Sequence, residues 1–98
     1  MFSNFRSYQL AVQLYKDCKS VQLPGYLKDQ LLRAASSVVL NLAEGSGRST
    51  RKDRVRFYTI AFGSLRETQS IIDMEEGLRH LNQPADTLAA HIYKLVRQ

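Results

Sequence analysis

Apolar residues recur along this chain at steps of three and four, with polar residues between them, and alternating Val/Ile/Thr runs are missing. That period lets a helix turn one face to a core, so the chain reads as all helix. Pro and Gly punctuation separates four segments, at about 4–21, 26–45, 50–80 and 84–97.

The first segment places Tyr8, Ala11, Leu14, Tyr15 and Cys18 on one stripe and ends at Leu23-Pro24-Gly25. In the second, Leu27, Leu31, Ala34, Ala35, Val38 and Leu42 form the main stripe, while Leu32, Val39, Leu40 and Ala43 carry apolar groups onto other faces. A helix apolar nearly all round expects cover nearly all round. The four helices of one bundle do not supply that, which predicts contact with another copy of the chain.

The third segment is the longest, about 45 Å if unbroken, with a stripe of Phe57, Ala61, Ser64, Leu65, Thr68 and Ile72. Gly63 inside it costs about 1 kcal/mol relative to alanine, and close approach of a neighbouring backbone would be a reason to keep it. The fourth opens at Asn82-Gln83-Pro84 and continues with Ala85, Leu88, Ile92 and Leu95. Short connections between long amphipathic helices make successive helices antiparallel neighbours. The predicted fold is an all-α, up-down-up-down four-helix bundle, with residues 1–98 as one domain.

Polar residues also fall on helical steps. Gln30, Arg33, Ser37, Asn41 and Glu44 line one side of the second helix, and Ser64 and Glu67 belong to the third. A catalytic reading would pair Glu44 with Glu67 as acid and base. No nucleophile beside a base, metal-ligand set or phosphate-cradling glycine loop accompanies them, so the favoured reading is a structural network that sets the register of the two helices. An ion pair between Arg33 and Glu67 is expected within it. Gly45 and Gly47 are read as the turn that ends the second helix, with glycine free to take the left-handed conformation.

Charge changes the picture. The net charge is +5. Residues 1–47 carry five basic and three acidic groups, residues 48–56 five and one, and residues 57–98 four and five. The excess therefore sits in Arg48, Arg51, Lys52, Arg54 and Arg56, offset by Asp53, which a Thr50-Arg51-Lys52-Asp53 capping box accounts for. Cations at a helix start are opposed by the macrodipole, so helix stability does not explain the cluster. An anion would: free N–H groups and arginine forks suit phosphate, and a nucleic acid presents many phosphates. No aromatic residue is interleaved within 48–56, so recognition of backbone charge is favoured over base stacking. The alternative is a structural or protein-interaction module whose basic face only solvates it.

The remaining composition mostly excludes. The lone Cys18 has no disulfide partner, and His80 and His91 lack zinc-ligand spacing. No cofactor is implied. The N-terminus, MFSNFRSYQL, has no leader pattern, and no run approaches the roughly 18 apolar residues of a spanning helix. The expectation is a cytoplasmic, non-enzymatic protein without a membrane partner.

The motifs QLLRAASS, NLAEGSGR and IAFGSLRE, in that order between Leu27 and Thr68, resemble the core signature of four-helix-bundle proteins encoded in intervening sequences of 23S ribosomal RNA genes. The same family includes the accessory variability protein of diversity-generating retroelements. The resemblance implies a cyclic homopentamer and, for the retroelement branch, binding of RNA or DNA and of a reverse transcriptase. It places the family's recurrent polar positions on Arg33, Ser37, Asn41, Glu44, Ser64 and Glu67 and its turn on Gly45 and Gly47. The connection around Pro24 is shorter than the family's usual one.

Overall fold

Helical periodicity becomes four α-helices. A computed structural model describes residues 5–98, with α1 at Arg6–Lys19, α2 at Gly25–Ser46, α3 at Arg51–Met74 and α4 at Asn82–Val96. The expected start of the first helix near residue 4 lies outside the described residues. No strand occurs among those described.

The helices run up-down-up-down, each packed on its neighbours in sequence, with α1 closing against α4. The core follows the predicted stripes, with Ala11, Leu14 and Cys18 of α1, Leu27, Leu31, Val38 and Leu42 of α2, Ala61, Leu65 and Ile72 of α3, and Ala85, Leu88 and Ile92 of α4. The exception is at the start of the α3 stripe, where Tyr58 is buried in the place expected for Phe57 and Phe57 is only half-buried. Burial pushes the Cys18 thiol up to about 11, with Asp17 adding to the effect, so it is an inert core group. The molecule measures 40 × 23 × 22 Å.

Between α1 and α2, Pro24 accepts from the N–H groups of Leu27 and Lys28. Lys28 reaches back, its Nζ donating to the carbonyls of Lys19 (2.9 Å) and Val21 (2.5 Å). Those oxygens would otherwise be left open where α1 ends.

The third helix is shorter than its expected span to residue 80. It stops at Met74, Glu75 turns extended (φ −123°, ψ 114°), and a 3-10 helix runs from Glu76 to Leu81 before α4. The stripe explains the break. Continued past Ile72 as α-helix, the core positions would fall on Glu75, Glu76 and Arg79, and burying unpaired charge is costly. The tighter i, i+3 repeat instead buries Leu78 and Leu81 against α3 and α4.

The end of α2 also differs from expectation. Gly45 lies inside the helix and is buried, and Gly47, at φ −90°, ψ −4°, is right-handed. No described glycine has positive φ. The last carbonyls are met by i→i−3 bonds, Gly47 N–H to Glu44 (3.2 Å) and Arg48 N–H to Gly45 (3.1 Å), so a left-handed cap is not required. Gly45 serves packing instead. A Cβ there would stand 2.7 Å from Cε1 of Tyr58 and 3.1 Å from Cβ of Phe57.

Candidate nucleic-acid interface

The candidate region lies at one end of the seam between α2 and α3. Ser37 Oγ and Ser64 Oγ share a hydrogen bond of 2.7 Å across it. Asn41 Nδ2 donates to the Ser37 carbonyl (2.9 Å) and to Ser37 Oγ (3.1 Å). Thr68, fully buried, donates to the Ser64 carbonyl at 3.0 Å. Three of the expected network residues therefore meet, and Thr68 extends the polar line along α3, where its place in the apolar stripe had concealed that role.

The other three stand apart from them. Counting 1.5 Å per residue from the Ser37–Ser64 contact, Arg33 and Glu67 lie within about 2 Å of each other along the bundle axis. Both are exposed, however, and no ion pair joins them. The level was right and the facing was not: each sits too far round its own helix. Glu44 lies about 15 Å along the axis from Glu67 by the same count, and its Oε2 is 2.6 Å from Nη2 of Arg48. Nothing brings the two glutamates together as an acid–base pair.

At the end of this seam the five cations occupy different positions. Thr50 caps α3 by accepting from the Asp53 N–H at 3.2 Å. Only that half of the expected capping box forms; no bond returns from the Asp53 carboxylate. Arg54, one turn in, folds back and donates from Nη1 to the carbonyls of Arg48 (3.4 Å) and Ser49 (3.3 Å). It clamps the turn. Burial raises the pKa of Tyr58, and the Arg54 charge offsets part of that rise.

The Arg51 and Lys52 side chains are exposed and have no hydrogen-bond or ion-pair partner among the described residues. Arg48 and Arg56 are exposed too, and both lie over one ring: the Arg48 guanidinium carbon is 4.7 Å and the Arg56 carbon 4.5 Å from the centroid of Phe57. Among the described residues this is the one ring flanked by two guanidiniums. The sequence window 48–56 missed Phe57 by one residue, and the chain reversal at Gly47 is what carries Arg48 back to it. Four cations thus face solvent at the start of α3, where the first-turn N–H groups add partial positive charge.

The sequence profile of the 23S rRNA-intervening sequence protein family matches residues 4–98. The chain belongs to that family. Its fold is similar to the crystal structure of a protein of unknown function from the S23 ribosomal protein family of Bacteroides thetaiotaomicron VPI-5482. The TM-score is 0.76 at 19% identity, over 96% of this chain and 97% of that one. At that identity the likeness shows the bundle and no more. No curated protein matches the chain.

Proposed function

We propose that this family member is a non-enzymatic, self-associating helical bundle that binds phosphates of RNA or DNA through Arg48, Arg51, Lys52 and Arg56. The observation that carries the reading is their division from Arg54. One arginine is consumed in holding the turn, and the other four cations are left at the surface around a helix start that itself favours anions. The Arg48–Glu44 pair is half exposed on both sides. A surface pair of that kind is worth about 0–1 kcal/mol, so a phosphate can compete for the guanidinium.

Self-association is supported by surface that one copy leaves uncovered. Leu40 is 66% exposed on the outer face of α2, beside an apolar groove lined by Val12, Tyr15 and Val39. Ile60 and Gly63 are exposed on α3. The family resemblance implies five copies and, for its retroelement branch, a reverse transcriptase as protein partner; on that reading the chain acts as an accessory to a nucleic-acid enzyme. No helix among the described residues is long and apolar enough to cross a membrane.

Sedimentation at micromolar concentration tests the assembly, with a pentamer expected and a compact monomer counting against it. Binding is tested by titrating a single-stranded RNA at rising salt. Four phosphate contacts give a log–log slope of about −3, a loss of roughly 50-fold in affinity between 50 and 200 mM salt. A chain that passes freely through heparin at moderate salt would favour the structural or protein-interaction module instead.

A further inference from the structure

Building on the phosphate-binding reading above, we infer that Arg48, Phe57 and Arg56 form a stacking site for unpaired nucleobases, so that the turn selects single-stranded nucleic acid over duplex. The geometry is the argument. Two guanidinium carbons at 4.7 and 4.5 Å from the Phe57 centroid are at cation–π distance, and both belong to exposed side chains. An arginine with one face on a ring keeps its other planar face for a ligand; the N–H edges of Arg56 can hold phosphate, and those of Arg48 can do so by exchanging the exposed Glu44 carboxylate for it.

The Phe57 Cβ lies 3.1 Å from where a side chain on Gly45 would begin, so α2 and α3 approach closely where the Phe57 side chain leaves the backbone. The ring and its two cations share the start of α3 with Arg51 and Lys52, whose side chains have no partner among the described residues. In a duplex the base faces are already stacked on one another, and only phosphates are offered. In a single strand each base has a face to give, and stacking on arginine planes or aromatic rings is how such strands are commonly held.

Elsewhere one cation lies over one ring, at Lys19–Tyr15, Arg66–Phe62 and Arg97–Tyr93. Each of these is an ordinary covering of apolar surface by a long side chain. The doubled arrangement occurs where the excess charge is, which distinguishes it from them.

The test compares a 12-nucleotide single-stranded RNA carrying one 2-aminopurine with a duplex of the same length, both at 100 mM salt. The wild-type chain is expected to bind the single strand about tenfold more tightly than the duplex, with 2-aminopurine fluorescence quenched on binding. Phe57→Leu and, separately, Arg48→Lys with Arg56→Lys should each bring that ratio close to one and abolish the quenching. The lysine variant keeps every charge and leaves the ring in place, so it decides the matter if Phe57→Leu unfolds. Equal affinity for the two RNAs, or a ratio unchanged in the lysine variant, overturns the stacking site while leaving salt-dependent phosphate binding intact. Absence of binding to either RNA overturns both.

Discussion

The seam between α2 and α3 and the turn that joins them are neighbours in sequence and obey opposite rules. In the seam every polar group is answered from within the chain: Ser37 meets Ser64, Asn41 bonds Ser37, and Thr68 bonds the Ser64 carbonyl. No buried side-chain polar atom among the described residues lacks a partner. At the turn, cations outnumber the carboxylates that answer them, and the Arg51 and Lys52 side chains have no partner among the described residues. A region that satisfies itself is built for packing. A region that does not is available for something else.

The contrast is sharpest at two glycines of the same helix pair. Gly45 is closed over by Tyr58, whereas a Cβ at Gly63 would meet nothing within 4 Å. Gly45→Ala should destabilise the fold by about 1–2 kcal/mol, an overpacking cost reduced by alanine's better helix propensity. Gly63→Ala should stabilise the isolated chain by about 0.5–1 kcal/mol. Urea melts of both variants check the signs, and a stabilised Gly45→Ala would break the packing account. If Gly63→Ala instead weakens assembly, a neighbouring copy approaches α3 there.

A smaller effect belongs to the hydroxyl pair. Ser37→Ala should cost about 0.5–1 kcal/mol by leaving Ser64 without its partner, and adding Ser64→Ala should cost less than the sum of the two single changes. Additive losses in that double-mutant cycle would mean that the bond contributes nothing. Smallest of all, Arg54→Gln should lower stability by about 0.5 kcal/mol, since its two bonds to the turn are long. Arg51→Gln should leave stability unchanged within error. Equal melting curves for the two would erase the division between the clamping arginine and the others.

The helices and their buried faces were legible because burial imposes a period, and most of each predicted stripe entered the core, though at the start of α3 Tyr58 is buried in place of Phe57. What escaped depended on events between segments. The end of α3 at Met74 follows from three charged residues falling on the core face, a signal present in Glu75, Glu76 and Arg79 but readable only once the stripe is carried through them. Gly45 looked like a turn residue by composition, and its real constraint comes from Tyr58, thirteen positions away in sequence. The axial level of Arg33 and Glu67 could be counted, whereas the angle each makes around its helix relative to the seam could not. The site was half visible in the same sense: counting charges finds the cluster, but only the folded turn separates Arg54 from the rest and sets Phe57 between Arg48 and Arg56.

The most direct measurement is the affinity of the chain carrying Arg48→Gln, Arg51→Gln, Lys52→Gln and Arg56→Gln for a single-stranded RNA across a salt series, beside its melting temperature. The account predicts an intact fold, affinity reduced at least about 50-fold at 50 mM salt and a log–log slope flattened by about 3. Wild-type affinity and slope in that variant would contradict it.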